Sequence, residues 1–363
     1  MNNLPAHFDN SDDHKTDAPM MWFGKRHVHH RAVYAALGIL TAFLFILISY
    51  LDVSYQIPQP LPDGAERNMK EPVFVSGESG ATANLIVQLK HYGLWDLPAS
   101  EEVPRFFIKN YPADLNTVKD VSVRKKVFLH SLLPHALFVR QETLHKRDKL
   151  QSILSKIDCA VETLDFVNGL EYESQCSWTD FLEEEEVNFI QILGKEYRTT
   201  SVEILLERVD LVPTSIILAQ GALESSWGSS RFTREGNSIF GMWTWKTAGI
   251  VPSRREEGKT HKVKAYENVL EAVRAYHLTL NRVEYYEEFR QLRRNTDNPL
   301  ILAEGLRFYS ERGQDYVEDI KNVILSNGLQ KYDNFSLTDL DLPEFTGSVS
   351  GDINSVESSK PSL

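Results

Sequence analysis

The amino-acid sequence predicts a mainly α protein in which a transmembrane helix and a helical region precede a second helical domain with a small β-hairpin insertion. Three observations predict this class. Apolar residues recur at helical spacing after residue 81, two short segments between residues 236 and 266 have strand-like composition, and one long uncharged run lies near the N-terminus. With 42% hydrophobic and 25% charged residues among 363, the composition is that of an ordinary globular protein.

The uncharged run, AVYAALGILTAFLFILISYL, spans residues 32–51. About 20 helical residues cross the hydrocarbon core of a bilayer, so this run predicts a transmembrane helix. The residues from Ser49 to Asp52 make a poor cleavage site, which favours an uncleaved anchor over a signal peptide. Lys25, Arg26 and Arg31 precede the run, so we expect a cytoplasmic N-terminus and a C-terminal domain in the periplasm, attached to the inner membrane.

Composition outside the helical parts predicts connecting and terminal segments. We interpret residues 1–31 as a cytoplasmic tail, residues 52–80 as a proline- and glycine-containing linker, and residues 336–363 as a disordered tail rich in serine and aspartate. The net charge of −12 and the absence of a basic stripe argue against a nucleic-acid partner.

Neither the cysteines nor the histidine-rich HVHH stretch at residues 27–30 predicts a reactive or metal site. Cys159 and Cys176 follow the membrane run, where a disulfide and two buried thiols are both open interpretations. HVHH lies beside the membrane run and is interpreted as an interfacial flank. We therefore expect no metal and no cofactor.

Residues 81–195 are predicted to form a helical region without catalytic residues. We expect Pro134 to begin or kink a helix there, because proline lacks the amide proton that a helix interior needs. The helix that follows, over residues 136–157, has an apolar stripe of Leu137, Leu144, Ile153, Leu154 and Ile157.

Residues 196–335 are predicted to form the second domain. Helices are expected over residues 201–210, 213–227 and 267–290, and a last one around residues 317–324. Between them, residues 236–245 and 261–266 are expected to form two short strands.

One carboxylate of this domain has unusual neighbours. Glu224 lies in AQGALESSWGSSRF, residues 219–232, and its helical neighbours three and four residues away are Gln220, Gly221, Trp227 and Gly228. The glycines are expected to leave room beside the carboxyl group, and the indole is expected to lie against it. Burial against apolar surface raises the pKa of a carboxyl group, so this pattern is typical of a general acid.

The neighbouring residues also allow a structural role for Glu224 as the alternative to a general acid. In that interpretation the carboxylate pairs with Arg231 or Arg234, which follow in the sequence, or helps to cap the next turn.

The pattern A-L-E-S-x-W-G-x-S followed by G-N-x-I-F-G resembles glycoside hydrolase family 73 of the lysozyme-like superfamily. More closely, the chain resembles the Bax protein family, whose domain is described as mannosyl-glycoprotein endo-β-N-acetylglucosaminidase-like; the similarity covers residues 200–330, and the anchor and residues 81–195 resemble that family too. The resemblance implies a lysozyme-like helical fold and hydrolysis of the β-1,4 bond after N-acetylglucosamine in peptidoglycan glycan strands. It also implies that Glu224 is the general acid.

A second catalytic group is less well defined by the sequence. Glycosidases usually use two carboxylates, and Glu256 and Glu257 lie in the loop between the predicted strands; a solvated surface position is the alternative for both. We take Glu257 as a candidate to position water or stabilise positive charge. Tyr309 resembles a cleft tyrosine of the family, although Ser310 and the residues after it depart from the family pattern, and a packed tyrosine is the alternative.

Five further residues are candidates for substrate binding. Asn237 and Phe240 resemble the sugar-binding turn of the family, and Tyr266 resembles the tyrosine that ends its second strand. We expect Trp243 and Trp245 to point to opposite faces of a strand, with one indole in the core and the other stacked on a sugar ring.

Two other functions fit the motifs less well. A lytic transglycosylase would also place a glutamate on a helix, but G-M-W-T stands where such enzymes typically carry G-L-M-Q. A glycan-binding envelope scaffold without catalysis is the other alternative. A serine hydrolase is disfavoured, because Ser225 and Ser226 lack the G-x-S-x-G turn that exposes a nucleophile.

Overall fold

A computed structural model describes residues 72, 74, 75, 81–157, 181–245, 249–253, 255 and 258–338. The predicted transmembrane helix, the HVHH stretch, both cysteines, Glu256 and Glu257 lie outside these residues. Within the described ranges, no helix is both long enough and apolar enough to span a bilayer. The membrane anchor, the cytoplasmic tail and the disulfide therefore stay predictions. The predicted disordered tail is wrong at its first residues, because Ser336 and Leu337 form a short strand with Glu102 and Val103. Phe74 and Val75, within the predicted linker, likewise pair with Phe107 and Ile108.

The first described elements lead into one long helix. In chain order they are β1 (Phe74–Val75), α1 (Thr82–His91), β2 (Glu102–Val103), β3 (Phe107–Ile108), a 3₁₀ turn (Leu115–Thr117) and α2 (Val121–Leu154). The Asp120 side chain caps α2 by accepting hydrogen bonds from the amides of Ser122 and Val123 at 2.7 and 3.3 Å.

Helix α2 is continuous over 34 residues and contains Pro134 in its buried interior. The expectation that a helix begins at Pro134 is therefore wrong. Packing on both sides of the proline explains how the helix tolerates it: Leu132, Leu133, Ala136 and Leu137 are all buried around it.

The remaining elements confirm a mainly helical chain. They are α3 (Glu184–Tyr197), α4 (Val202–Arg208), α5 (Thr214–Ser225), α6 (Arg231–Gly236), β4 (Trp243–Thr244), β5 (Gly249–Ile250), β6 (Lys262–Lys264), α7 (Val269–Arg282), α8 (Glu287–Arg293), α9 (Pro299–Leu302), α10 (Gln314–Ser326) and β7 (Ser336–Leu337). Short 3₁₀ turns occupy Glu284–Tyr286, Ala303–Leu306 and Leu329–Asp333. The helix predicted over residues 267–290 is divided into α7 and α8 at Val283, which has extended backbone angles.

The small sheet has three described strands rather than the predicted two. Its order is β4-β6-β5 with both pairs antiparallel, and Val263 of β6 lies opposite Trp243 on one side and Ile250 on the other. Two short parallel pairs, β1 with β3 and β2 with β7, join distant parts of the chain.

The buried apolar residues form two clusters that share α2. The main cluster, whose members include Phe128 and Leu132 of α2 and Ile216 and Ala219 of α5, spans residues 85–139 and 212–335. The second cluster joins the last turns of α2 to α3 and α4. The domain boundary predicted after residue 195 stays a prediction, but residues on both sides of it build the main cluster.

Candidate active site

Helix α5 places Glu224 in its last turn, and a distant residue caps its first turn. The carboxylate of Asp333 accepts hydrogen bonds from the Ser215 amide at 2.8 Å and from the Ser215 hydroxyl at 2.7 Å. Because the first amides of a helix have no partner within it, this carboxylate stabilises the N-terminal end of α5.

The turn after Glu224 explains the S-S-W-G part of the motif. Ser226, Trp227 and Gly228 have φ values of 51°, 58° and 75°, so three successive residues are left-handed. The Ser225 hydroxyl closes this turn by accepting a hydrogen bond from the Gly228 amide at 2.7 Å. A Cβ on Gly228 would lie 2.9 Å from the Phe128 ring, so a larger residue does not fit there.

Gly221 has a different role from the one expected. A Cβ on this residue would lie 3.1 Å from Leu132 and 3.3 Å from Ile239, both buried. Gly221 therefore lets α2 pack closely on α5 and does not open space beside the carboxyl group of Glu224.

The Trp227 indole packs on α2. Its ring makes an edge contact with Phe128, with centroids 6.2 Å apart, and the Lys125 ammonium group lies 4.5 Å above it. The aromatic surroundings of Glu224 instead come from tyrosines that are distant in the sequence.

Glu224 is half-buried, and its two carboxylate oxygens have different surroundings. Oε1 accepts a hydrogen bond from the Tyr316 hydroxyl at 2.7 Å. Oε2 faces the Gly241 backbone, where a Cβ would lie 3.4 Å from it, and Gly241 has a φ of 63°. Burial raises the pKa of Glu224 above its ordinary value, and the hydrogen bond from Tyr316 offsets part of this increase.

The Tyr316 hydroxyl is held by a buried chain of hydrogen bonds that runs through Gln220 to Tyr276. The Gln220 side chain donates its Nε2–H to the Tyr316 hydroxyl at 3.0 Å, and its Oε1 accepts a hydrogen bond from the Tyr276 hydroxyl. The Tyr309 ring stacks parallel to that of Tyr316, with centroids 5.7 Å apart. Burial raises the pKa of Tyr276, Tyr309 and Tyr316, so these hydroxyl groups are protonated at neutral pH.

The nearby arginines have other partners. Arg231 forms an ion pair with Glu235 at 3.3 Å, and Arg234 donates to the carbonyl oxygens of Ala113 and Ser229. Across the described residues Glu224 has no ion pair, so the alternative that it pairs with Arg231 or Arg234 is wrong.

Tyr309 contacts the site through its ring and through the backbone. Its hydroxyl donates to the Phe240 carbonyl oxygen at 2.8 Å, which holds the segment next to Gly241. Phe240 is itself buried and stacks on Tyr276, with centroids 4.0 Å apart. The structure therefore places both residues beside Glu224 as packed supports, and their catalytic and sugar-binding roles stay predictions.

Asn237 and Tyr266 join the end of α6 to the end of β6. Asn237 is left-handed with a φ of 52°, and its amide group donates to the Asn110 side chain at 2.8 Å and to the Tyr266 carbonyl oxygen at 3.2 Å. The Asn237 Oδ1 and the Tyr266 hydroxyl are buried and have no hydrogen-bond partner within the described part of the chain. Contact of either residue with a sugar stays a prediction.

Trp243 lies in β4 and Trp245 directly follows this strand, and both side chains are on the surface. Both are exposed, at 53% and 38%, whereas Thr244 between them is buried. The expectation that one indole lies in the core is wrong, because both are exposed. Its premise was also wrong, since residues two apart on a strand share a face. The Trp243 ring packs against the His261 ring with centroids 3.9 Å apart, so neither indole is in the core.

No cluster of three or more metal-binding side chains occurs in the described ranges. Glu257 lies outside them, so its role as the second carboxylate stays a prediction. Tyr276, Tyr286, Tyr309 and Tyr316 all interact electrostatically with Glu224.

Sequence reasoning missed Tyr276 and Tyr316, and it named Gln220 only as a helical neighbour of Glu224 without its hydrogen-bonding role. A signal for Gln220 was available, since a glutamine one turn before Glu224 shares its helix face. The two tyrosines lie 52 and 92 residues after Glu224, and helical periodicity alone carries no information on such distant contacts.

Part of the chain is similar to known proteins. Residues 200–329 match the glucosaminidase family, described as mannosyl-glycoprotein endo-beta-N-acetylglucosaminidase. Protein bax of Escherichia coli (strain K12) is 35% identical over 118 residues, which cover 31% of this chain and 42% of that protein. Peptidoglycan hydrolase FlgJ of Salmonella typhimurium (strain LT2) is 36% identical over 88 residues, which cover 21% of this chain and 28% of that protein.

The matched segments thus span less than half the length of either relative, and no solved structure matches the chain. The resemblance noted from the A-L-E-S-x-W-G-x-S motif is confirmed: residues 200–329 of this chain match the glucosaminidase family and are similar to segments of Bax and FlgJ.

Proposed function

We propose that this protein is a peptidoglycan hydrolase, an endo-β-N-acetylglucosaminidase that cleaves the β-1,4 bond after N-acetylglucosamine with Glu224 as the general acid. The family match over residues 200–329 and the similarity to the peptidoglycan hydrolase FlgJ support the substrate class. The anchor predicted over residues 32–51 would hold the domain in the periplasm, where peptidoglycan lies.

The observation that carries the proposal is the environment of Glu224. The carboxyl group is desolvated, which raises its pKa, and no cation compensates its charge within the described residues. A carboxyl group of this kind stays protonated closer to neutral pH, as a general acid requires.

In the proposed reaction the Glu224 proton moves to the oxygen that joins two sugars. The bond between this oxygen and the anomeric carbon breaks, and positive charge develops on the sugar that keeps the anomeric carbon. Water then adds to that carbon, its second proton restores the Glu224 carboxyl group, and the product has a reducing N-acetylglucosamine end.

The exposed tryptophans supply the surface proposed for glycan binding. Trp243 and Trp245 present two exposed indole rings at the small sheet, and sugar rings stack on such aromatic surfaces. We assign Asn237, Phe240 and Tyr266 to shaping this region, and Glu257 to positioning the water molecule.

The test is digestion of purified sacculi by the full-length protein, followed by mass spectrometry of the released fragments. We expect reducing N-acetylglucosamine ends, and we expect Glu224→Gln to abolish their release. The matched control is Glu235→Gln, because Glu235 is an exposed carboxylate 11 residues away that pairs with Arg231. This control should retain normal turnover.

Three outcomes would contradict the proposal. Products with 1,6-anhydro-muramyl ends would identify a lytic transglycosylase. Glycan binding without turnover, unchanged in Glu224→Gln, would identify a glycan-binding scaffold. Normal release by the Glu224→Gln variant would exclude Glu224 as the acid.

A further inference from the structure

The direction of each hydrogen bond behind Glu224 can be assigned from its chemistry. The Tyr276 hydroxyl donates to Oε1 of Gln220, because that oxygen is an acceptor only. The Gln220 amide nitrogen is a donor only, so the Tyr316 oxygen accepts at that contact. The single proton of the Tyr316 hydroxyl then remains for its other contact, the 2.7 Å bond to Oε1 of Glu224.

Burial makes this order of donors and acceptors strict. Gln220 is completely buried, and the hydroxyl groups of Tyr276 and Tyr316 are buried around it. A donor or acceptor that is left unsatisfied in such a place is unfavourable. If Glu224 carried its proton on Oε1, two protons would face each other between Oε1 and the Tyr316 oxygen, since Gln220 offers no acceptor to which the tyrosine proton could turn.

On the basis of the proposed function, we propose that Gln220 is a positioning residue. By donating to the Tyr316 hydroxyl, it directs the Tyr316 proton onto Oε1 of Glu224 and so places the transferable proton of Glu224 on Oε2. Oε2 is the oxygen beside the Gly241 backbone, so this chain also determines from which side the leaving oxygen receives the proton.

Gln220 acts only through Tyr316, which makes the role testable. Replacing Gln220 with methionine keeps the volume but removes the donor, so the Tyr316 hydroxyl no longer has a fixed orientation. The hydrogen bond to Glu224 favours the charged carboxylate, and weakening it should raise the Glu224 pKa. Tyr316→Phe removes the same bond directly and should shift the pKa in the same direction.

The first measurement is the titration of the Glu224 side chain in the full-length protein, carried out by NMR with ¹³C at the glutamate Cδ. Glu224→Gln identifies the signal. We expect a higher midpoint for Gln220→Met than for the wild type, and no additional shift in the double variant Gln220→Met/Tyr316→Phe relative to Tyr316→Phe. The matched control is Gln88→Met, since Gln88 is a buried helical glutamine of α1.

The second measurement is the pH dependence of kcat on sacculi. Since the general acid works when protonated, the alkaline limb should move to higher pH in Gln220→Met, and kcat at the optimum should fall about tenfold, with a smaller change in KM. In the Gln88→Met control, the alkaline limb of the pH dependence of kcat should lie at the same pH as in the wild type. If Gln220→Met does not fold, Tyr276→Phe tests the same chain and should show a smaller shift in the same direction.

An unchanged Glu224 titration in folded Gln220→Met would overturn the role of Gln220, even if the enzyme were active. An additive shift in the double variant would overturn it as well, because Gln220 would then act by another route. A shifted titration in a protein without glycosidase activity would instead support the hydrogen-bond order and remove the proposed function.

Discussion

Two partly buried glutamates of this chain have contrasting partners. Glu224 lies among tyrosines and accepts one hydrogen bond from a neutral hydroxyl, whereas Glu207 contacts Arg290 at 3.0 Å and also Arg294. A guanidinium group compensates the negative charge of a carboxylate, but a hydroxyl group does not. The same residue type therefore serves as a structural ion-pair partner in one region and as a candidate acid in the other.

The arginine-lined region around Glu207 joins helices. Arg290 is 2% exposed and donates to the carbonyl oxygens of Leu280 and Val283, at the end of α7, as well as to Glu207 of α4. Arg293 donates to the Asn281 side chain at 2.7 Å. These contacts hold α4, α7 and α8 together, and they are the structural counterpart of the tyrosine chain behind Glu224.

Loss of the carboxylate in the tyrosine region should have the largest effect on activity. We expect Glu224→Gln to lower kcat by about a thousandfold or more, because the proton donor is lost while the shape is kept. Release of glycan fragments from sacculi measures this effect.

The same variant should change how stability depends on pH. The folded-state pKa of Glu224 is raised by burial, so its protonated form favours folding, and this contribution is lost as pH rises through the folded pKa. Glu224→Gln should therefore match the wild type in free energy of unfolding at low pH and exceed it above the folded pKa. Urea unfolding at several pH values measures this, and a variant that is less stable at high pH would contradict the comparison.

Loss of the carboxylate in the arginine region should act on stability instead. We expect Glu207→Ala to lower the free energy of unfolding by about 3 kcal/mol, because it leaves the buried Arg290 without its counter-charge. Urea unfolding measures this value, and activity per folded molecule should change little. A large loss of kcat in well-folded Glu207→Ala would show that the two regions are not separate in role.

The turn that follows Glu224 tests how much backbone strain and close packing this region contains. We expect Gly228→Ala to lower the free energy of unfolding by about 2 kcal/mol, from backbone strain together with the close contact to Phe128. Gly328→Ala is the matched control, since Gly328 has a φ of 59° and open space where a Cβ would lie. The control should lose about 1 kcal/mol from the backbone alone. Equal losses in thermal or urea unfolding would show that the Phe128 contact is unimportant.

The exposed indoles should have the smallest effect on stability. We expect Trp243→Ala and Trp245→Ala each to change the free energy of unfolding by less than about 0.5 kcal/mol, because neither ring is buried in the core. KM for sacculi fragments should rise several-fold, with little change in kcat. Leu325→Ala of α10 is the control, because its side chain is similarly exposed at 57%; an equal rise of KM in that variant would argue against specific stacking.

Local patterns predicted the helix that carries Glu224 and singled out the acid, because amphipathic spacing and an unusual glycine and tryptophan neighbourhood are visible in a short segment. The resemblance carried by the motif was confirmed by the family match. The reasons behind the pattern were partly different, since Gly221 serves helix packing and Trp227 packs on α2.

Contacts between residues far apart in the sequence could not be predicted from local sequence patterns. Tyr316 and Tyr276 reach Glu224 and Gln220 only because α7 and α10 pack beside α5 in the main cluster. Of the two expectations for Pro134, that it begins or kinks a helix, the first failed because packing outweighs the lost hydrogen bond inside α2. The exposure of both Trp243 and Trp245 was missed by a wrong application of strand alternation.

The capping of α5 by Asp333 has a practical consequence for anyone who wishes to express the domain that contains Glu224 separately. The family match ends at residue 329, four residues before this carboxylate, and it begins at residue 200, long after Phe128 and Leu132, which pack under α5. A fragment cut at the limits of sequence similarity would lose both supports of the helix that carries the acid. A minimal expressible unit therefore has to start before α2 and extend past residue 333.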